Sequence, residues 1–336
     1  MIIFSLIMDS PNAITEAKTA ISICLETVIP SLFPMCILTN LLIDMLLGNS
    51  LGPFSFIHKL CKLPKGSESI FLAGALGGYP LGAKLITEAY NCKALSKQQA
   101  QRMLYFCSNA GPAFLFGFCA PLFTKRNAIL CLWLVHICSA VILSMFIPGE
   151  CGRCVKIPQR KRPIQTIVND GIKTMGVVCG WIVLFRVLLG FADRWILFAL
   201  PNTVSALIKC IAEISSGIIG LRNVGHEQTR FILCAIALSF GGLCIMMQTA
   251  SITEGLAFKS YIWGKLLHAL ISFVLALITS HLLYRSNAIS SISPFVPIFI
   301  IFITFIFQKS MEFFRSIIYN KENKPARSLL CCSAKK

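Results

Sequence analysis

The chain has 336 residues, of which 56% are hydrophobic and 13% are charged, and its mean hydropathy is +0.74. Soluble domains contain about 45–50% apolar and about 25% charged residues, so this composition excludes a water-soluble globule and a disordered chain. The formal charge is +17, from 31 Lys and Arg against 14 Asp and Glu. Because the basic residues lie in short loops between apolar blocks, they indicate the positive-inside topology of a membrane protein, and nucleic-acid binding is not expected.

The first apolar blocks lie near the N-terminus. Residues 1–8 are too few to cross a hydrocarbon core, which needs about 20 residues, and residues 1–19 are interpreted as a truncated N-terminal segment. A single Lys and the lack of a small-residue cleavage motif disfavour a signal peptide here. A first span is predicted at residues 20–47, with a break at residues 28–34 because prolines there remove backbone hydrogen bonds.

Three further apolar segments complete the first half of the chain. Residues 69–89 carry several glycines and Pro80 near their centre, which predicts two half-helices that meet at a turn and return to the same side of the membrane. Residues 98–123 are expected to break at residues 109–112, and residues 128–147 are expected to form an uninterrupted span.

The second half of the chain repeats this order after a basic loop at residues 151–165. A span, a small-residue segment, a segment broken near residues 239–242 and another span follow, at residues 171–192, 215–220, 230–249 and 261–284. Matched residues keep nearly constant separations: 140 residues between Gly77 and Gly217, 130 between Gly111 and Gly241, and 132 between His136 and His268. These separations indicate an internal repeat.

The distribution of Lys and Arg predicts how the two repeats are oriented. If each repeat crosses the membrane three times, the second is inverted, and twenty basic residues, Lys265 among them, face the cytoplasm against eight on the other face. We therefore predict an all-α, polytopic transmembrane helical bundle with two inverted repeats that contain broken or re-entrant helices. Its predicted parts are the N-terminal segment 1–19, a first repeat 20–148, a basic cytoplasmic loop 149–166, a second repeat 167–285, an extra C-terminal transmembrane helix 286–309 and a basic cytoplasmic tail 310–336.

The helix breaks are the first candidates for a binding site. Pro80 and Pro112 are each expected at the first position of a new half-helix, where the missing N–H group has no consequence. The free N–H groups and the positive dipole end of such a half-helix attract anions, so an anionic ligand is predicted near the middle of the membrane. The alternative interpretation is that both segments are packing kinks.

Polar residues inside apolar segments are the second group of candidates, because a bilayer makes their burial costly. Lys84 and Glu88 lie one helical turn apart, and two interpretations stay open: a ligand role for Lys84 or an ion pair between the two. His136 and His268 occupy matched positions, and packing is the favoured interpretation for both. The predicted substrate-binding residues are Gly77, Gly78, Tyr79, Pro80, Lys84, Glu88, Asn109, Gly111, Pro112, Glu213, Gly217, Ser239, Gly241, Gly242 and Gln248.

Motifs for other chemistry are weak. Most of the 16 cysteines lie singly in apolar runs, where Cys behaves as a small hydrophobic residue, and one CxxC pair, Cys151 and Cys154, lacks further metal ligands nearby. The sequence contains no motif of a nucleotide-binding loop, a zinc protease or a nucleophile elbow. No metal, no cofactor and no enzymatic activity are therefore predicted.

Four ordered motifs carry a resemblance to a known family. They read VIPSLFP at 28–34, GGYPLGAK at 77–84, FCSNAGP at 106–112 and SFGGLCIMMQ at 239–248. Together they resemble the YlbJ-like sporulation integral membrane proteins, within the nucleoside-recognition Gate-domain families. The resemblance implies a multi-pass membrane protein of a spore-forming bacterium, with a part in spore maturation and in moving dipicolinate, a small dicarboxylate, across the mother-cell-derived membrane.

The leading hypothesis is a transporter or permease for a small organic anion of the dipicolinate type, with its site between the two repeats. The expected location is the bacterial cell membrane or the mother-cell-derived forespore membrane. Two alternatives stay open, a non-transporting assembly protein of the spore envelope and a nucleoside transporter. Membrane lipids and the solute are the expected partners, and association with a second copy or with other sporulation membrane proteins stays open.

Overall fold

The computed structural model describes residues 7–46, 56–149 and 162–284. Within these ranges the regular structure is helical, and no strand is present. Five of the described helices are long and apolar enough to cross a membrane, which confirms the predicted all-α, polytopic fold. Most of the predicted loop 149–166, and all of the predicted helix 286–309 and tail 310–336, lie outside the described residues.

The helices follow one another in two similar series. The first is α1 (Ser10–Ile23), α2 (Ile29–Leu46), α3 (Phe56–Leu60), α4 (Glu68–Gly77), α5 (Leu81–Asn91), α6 (Lys97–Leu104), α7 (Pro112–Phe114) and α8 (Arg126–Phe146). The second is α9 (Ile164–Trp195), α10 (Asn202–Ala212), α11 (Ile214–Leu221), α12 (Glu227–Phe240), α13 (Gly242–Ala250) and α14 (Phe258–Tyr284). A π-helical turn (Cys24–Val28) joins α1 to α2, and a second π-helical turn (Leu115–Cys119) extends α7.

The first span is one continuous helix, so the predicted break at residues 28–34 is wrong. It begins at Ser10, well before the predicted start, and takes in the second half of the predicted N-terminal segment. The π-helical turn shifts the hydrogen-bond register just ahead of Pro30, and Pro34 lies inside α2. Such a wide turn, together with close packing of α1 against α9, lets the helix accommodate prolines without ending.

A hairpin of two short helices occupies the centre of the first half. α4 and α5 lie side by side because Gly74 faces Gly82, and a Cβ atom on either glycine would lie 3.2 Å from the other's Cα. Gly78, at the turn between them, has φ +79°, in the left-handed region that favours glycine. The two predicted half-helices within residues 69–89 are therefore confirmed. Pro80 was predicted at the first helical position of α5, but it immediately precedes that helix.

The corresponding hairpin of the second half, α10 and α11, breaks at Glu213. α10 ends one residue before Glu213 and α11 begins one residue after it. The small-residue segment 215–220, which matches the turn of the first hairpin in the repeat, was expected to hold this break, but Gly217 lies inside α11 and packs against Cys210, about one helical turn after it. A carboxylate can cap a helix start without any glycine, which is why the small residues were misleading.

A broken helix follows each hairpin, as predicted. In the first half α6 ends at Leu104, and Pro112 begins α7, so Pro112 does hold the predicted first helical position. In the second half Gly241, with φ +86°, separates α12 from α13. The order of long helix, hairpin, broken helix and long helix thus occurs twice along the chain.

Arg102 marks one end of the bundle. Its guanidinium donates hydrogen bonds to the carbonyl oxygens of Cys61 and Lys62, which follow α3, and of Ser144 and Ile147, which end α8. The side chain of Gln101 binds the backbone of Ala257, directly before α14. The end of α8 and the start of α14 therefore lie at the same end as α6.

Glu227 marks the opposite end. At the start of α12, its carboxylate accepts hydrogen bonds from the Thr124 hydroxyl at 2.6 Å and from the Tyr284 hydroxyl at 2.9 Å. The Lys125 ammonium donates to the carbonyl of Leu283 at 2.7 Å. The starts of α8 and α12 and the end of α14 therefore meet here.

These two ends give the directions of matched helices in the two halves. α8 and α14 are antiparallel, and the broken helices α6–α7 and α12–α13 begin at opposite ends of the bundle. Both relations are those that an inverted second repeat requires. The inversion of the complete repeat stays a prediction.

We expect Lys65 and Lys93 to face the cytoplasm and Asn223 to face the opposite side. In a variant without native cysteines, Asn223→Cys should react with a membrane-impermeant maleimide in intact cells, because it precedes α12 at the Glu227 end. Lys65→Cys and Lys93→Cys should react only after the cells are opened. Reaction of Lys93→Cys together with Asn223→Cys in intact cells would contradict the re-entrant hairpin.

The outer surface of α14 is apolar. Val274, Ile278 and Leu282 follow one another at four-residue intervals, and 47%, 57% and 74% of their surfaces are exposed. This spacing places them on one helical face, which suits contact with lipid tails. Together with the five spanning helices, this face marks the chain as a multi-pass membrane protein.

Candidate functional site

Helix breaks from both halves of the chain meet at one cleft. Its empty space is about 490 Å³, including its open mouth. Most of the lining side chains are apolar, and the polar ones are Tyr79, Glu213, Ser215 and Gln248. Gly111 also lines the cleft, so four of the predicted binding residues, Tyr79, Gly111, Glu213 and Gln248, are brought together there.

Two glycines lie in close contact in the part of the cleft wall that the first half of the chain forms. A Cβ atom on Gly78 would lie 3.0 Å from the amide nitrogen of Gly111, and one on Gly111 would lie 3.0 Å from the Cα of Gly78. The two breaks therefore pack backbone against backbone. From the second half, Gly241 lies against the Tyr79 ring, where a Cβ atom would be 3.5 Å away. Gly78 and Gly111 are therefore needed for packing between the two breaks of the first half.

Glu213 lies in the part of the cleft wall that the second half of the chain forms. It is 1% exposed, and its two carboxylate oxygens accept hydrogen bonds from the backbone N–H groups of Ser215 at 2.8 Å and Ser216 at 2.7 Å. The carboxylate therefore occupies the N-terminus of α11. The N–H groups at the start of this helix are therefore bonded within the chain, to Glu213.

We expect Glu213→Ala to lower the free energy of unfolding by about 0.5–2 kcal/mol, the usual loss when a helix N-cap is removed. Glu213→Gln should lose less, because its amide oxygen still accepts one hydrogen bond. Thermal unfolding in detergent measures both variants, with Glu254→Ala at an exposed position as the control. An unchanged midpoint for Glu213→Ala would contradict the capping role.

A buried lysine lies behind Tyr79. The Lys265 side chain is fully buried, and its Nζ atom donates hydrogen bonds to the Tyr79 hydroxyl at 2.6 Å and to the Ser108 carbonyl at 2.8 Å. Its third contact is His268 Nδ1 at 3.4 Å. Within the described residues no carboxylate forms an ion pair with it. Lys265 was counted among the basic residues that face the cytoplasm, and this is wrong, because it is buried inside α14.

Two histidines extend this cluster. The rings of His136 and His268 stack with their centroids 5.0 Å apart. His136 Nε2 accepts from the N–H of Ala110 at 3.0 Å, so its Nδ1 can donate to the Ser239 hydroxyl, also at 3.0 Å. His268 Nε2 lies 3.1 Å from the His136 carbonyl oxygen and therefore carries a proton, which leaves Nδ1 to accept from Lys265. Both rings are thus neutral, and matched positions of the two halves touch.

The sequence contains one signal that points to this cluster. Lys265 precedes His268 by three residues inside a predicted span, so both side chains lie on the same helical face. Counting Lys265 among the cytoplasmic residues overlooked that spacing. Ser239, a predicted binding residue, belongs to the cluster and does not line the cleft.

The remaining predicted residues lie outside the cleft lining. Lys84 and Glu88 are half-buried on α5, and the described contacts include no ion pair between them. The Asn109 side chain donates to the Phe106 carbonyl at 2.8 Å, and its buried Oδ1 has no partner among the described residues. The others support turns, breaks or packing: Gly77, Gly78, Pro80, Pro112, Gly217, Gly241 and Gly242.

The described part of the chain contains no group of three or more His, Cys, Asp or Glu side chains that could hold a metal ion. The pair Cys151 and Cys154 lies outside the described residues.

Comparison with known proteins gives one clear similarity. The chain is 26% identical to the sporulation integral membrane protein YlbJ of Bacillus subtilis (strain 168), over 83% of this chain and 81% of that protein. No protein-family model and no solved structure matches the chain. The predicted resemblance to the YlbJ-like sporulation integral membrane proteins is confirmed, and the assignment to the Gate-domain families stays a prediction.

Proposed function

We propose that the chain is a membrane transporter for a small organic solute and that the cleft is its binding site. The observation that carries the proposal is the meeting of break residues from both halves, Tyr79 and Gly111 from the first with Glu213 and Gln248 from the second. Secondary transporters bind their substrates where discontinuous helices of two repeats meet.

The proposed solute is a small organic anion of the dipicolinate type, and the proposed process is spore maturation. Similarity to a sporulation integral membrane protein supports the process. The charge of Lys265 supports the anion, because Lys265 binds the Tyr79 hydroxyl and forms no ion pair with a described carboxylate. A carboxylate of the solute at Tyr79 would supply the missing negative charge. The proposal assigns no enzymatic reaction to the chain.

A neutral solute such as a nucleoside is the second candidate. The described residues that line the cleft include one acid, Glu213, and no Lys or Arg. Gln248 and Tyr79 supply hydrogen-bonding groups, and Phe114 supplies an aromatic ring on which a base can stack. These features favour an uncharged, hydrogen-bonding molecule over an anion that has no contact with Lys265.

Uptake into proteoliposomes tests the proposal. Purified protein is reconstituted, and entry of labelled dipicolinate and of a labelled nucleoside is compared with entry into empty liposomes. Dipicolinate uptake is expected, and unlabelled dipicolinate should compete with it. Nucleoside uptake alone would establish the second candidate in place of the anion. Absence of both from vesicles that contain folded protein would refute transport of either solute.

A pair of neighbouring valines provides a matched control for the site. Val178 is buried and lines the cleft, whereas Val177 is exposed on the outer face of α9. Val178→Phe should fill part of the cleft and reduce uptake at least tenfold, while Val177→Phe should transport like the wild type. Equal uptake by both variants would show that this cleft is not the solute site.

A further inference from the structure

Lys265 and the groups around it form a polar cluster in the middle of the bundle. Three acceptors surround its nitrogen: the Tyr79 hydroxyl, the Ser108 carbonyl and His268 Nδ1. An ammonium group has three N–H donors, so each finds one acceptor. The cluster takes Tyr79 and Ser108 from the first half of the chain and Lys265 and His268 from the second.

The cluster also satisfies a neutral amine. The Tyr79 hydroxyl has two neighbours that can receive its proton, the Leu238 carbonyl at 3.2 Å and the Lys265 nitrogen at 2.6 Å. When Lys265 is an ammonium, Tyr79 accepts from it and donates to Leu238. When Lys265 is an amine, Tyr79 can donate to the nitrogen lone pair, while the two remaining N–H groups keep Ser108 and His268 as acceptors. Every N–H and O–H donor of Lys265 and Tyr79 has an acceptor in both states, which suits a group that gains and loses a proton.

The groups that face Lys265 include no acid among the described residues. The hairpin α4–α5 contributes Tyr79, α8 contributes His136, and α14 itself contributes Tyr261 and His268. The segment after α6 contributes Tyr105, which packs on Gly264. The broken helix α12–α13 contacts the neighbours of Lys265: the Leu238 carbonyl binds Tyr79, Ser239 binds His136, and Thr249 binds Tyr261. Arg102 of α6 is bonded to the backbone carbonyls of Cys61, Lys62, Ser144 and Ile147.

We infer that Lys265 is a proton-binding residue that couples the movement of one proton to each solute anion. This inference rests on the proposed transport of an anion through the cleft. A carboxylate at Tyr79 accepts the hydroxyl hydrogen bond in place of the Leu238 carbonyl and favours the ammonium form of Lys265, because the two opposite charges are then separated only by the hydroxyl. When the anion leaves, the ammonium has only neutral acceptors, so it releases its proton and becomes an amine. By linkage, proton and anion strengthen each other's binding, and the result is proton–anion cotransport.

Assays in proteoliposomes distinguish the proposed transport of an anion from the proposed coupling of that transport to protons. Exchange of external labelled dipicolinate for internal unlabelled dipicolinate, at equal pH on both sides, requires transport but no coupling. Net accumulation is then measured with the outside one pH unit more acid and the membrane potential held at zero with valinomycin and potassium. One proton per anion predicts about tenfold accumulation, which a protonophore should abolish.

Substitutions at Lys265 identify the coupling residue. Lys265→Arg keeps a permanent charge, since a guanidinium does not release its proton, so exchange should persist while gradient-driven accumulation is lost. Lys265→Met removes the charge, and accumulation should again be lost. Lys259→Met, at an exposed position of the same helix, should accumulate like the wild type. Because either Lys265 variant can fail to fold, proton uptake by the wild-type protein is measured too: mixing with dipicolinate in weakly buffered detergent should take up close to one proton per bound anion.

Each outcome has one meaning. Wild-type exchange without any response to the pH gradient, or tenfold accumulation by folded Lys265→Met, would overturn the coupling while leaving transport in place. Dipicolinate binding without proton uptake would overturn it as well. Absence of exchange by the folded wild-type protein would refute anion transport itself, and the coupling with it.

Discussion

Replacing Gly82 by Leu is expected to prevent folded protein from accumulating in the membrane. Gly82 of α5 faces Gly74 of α4, and a Cβ atom on either glycine would overlap the carbonyl oxygen of Cys107. That oxygen belongs to the backbone at the break between α6 and α7, so no side-chain rotation relieves the overlap. Overpacking destabilises by about 1–3 kcal/mol where neighbouring side chains can move, and a rigid backbone makes the loss larger.

Fluorescence-detected size-exclusion chromatography of a fusion to green fluorescent protein measures this effect. The matched control is Gly176→Leu, because Gly176 of α9 has open space where its side chain would begin. The control should retain the wild-type peak, and Gly82→Leu should lose it. A symmetrical peak of wild-type height for Gly82→Leu would show that the hairpin and the break are not packed as described.

The hairpin and the broken helices were predictable because their causes are local. Gly78 adopts a left-handed conformation, and Pro112 begins a helix, and both properties belong to the residue itself. The contact between His136 and His268 was not predicted, because the stacking of their rings depends on the antiparallel packing of α8 against α14. Local rules thus gave the breaks at Gly78, Pro112 and Gly241, whereas this contact between the halves follows only from the assembled helices.

The first span shows where a local rule fails. Pro30 and Pro34 each remove a backbone hydrogen bond, yet the helix continues from Ser10 past both of them. The π-helical turn before Pro30 and the packing on α9 support this segment, and neither can be inferred from the prolines. Tertiary packing therefore outweighs the usual helix-breaking tendency here.

The polar centre of the bundle was the least predictable part. Lys265 and Tyr79 are 186 residues apart in the chain, and neither carries a motif that points to the other. Glu213 was recognised as a candidate, but its capping of α11 follows only from the hairpin geometry. The cleft has one acid, Glu213, in its wall and one base, Lys265, behind Tyr79. This arrangement arises only when the helices assemble.

Arg102 is expected to be as important for folding as Gly82. Its Nη2 atom donates to the carbonyls of Cys61 and Ser144, each at 2.8 Å, its Nη1 donates to Lys62 at 3.0 Å, and its Nε donates to Ile147 at 3.3 Å. Two of these carbonyls end α8 and two follow α3, where helix dipoles leave partial negative charge. One side chain therefore joins two helix ends to α6.

Arg102→Leu should abolish folded protein in the membrane. The change leaves four carbonyl groups without their donor, and each buried carbonyl that loses its hydrogen bond lowers stability by about 1–3 kcal/mol. Together these losses approach the whole stability of an ordinary domain, about 5–15 kcal/mol. Arg102→Lys should rescue only part of the loss, because an ammonium has three donors and lacks the forked geometry that reaches both helix ends.

Abundance in membranes and the midpoint of thermal unfolding in detergent measure these two variants. Arg222→Leu, at an exposed position after α11, is the control and should resemble the wild type. The expected order of stability is wild type, then Arg102→Lys, then Arg102→Leu. If Arg102→Leu is as abundant as the control and unfolds at the same temperature, other contacts hold the end of α8 in place. The conclusion that the end of α8 lies at the same end of the bundle as α6 then loses its main support.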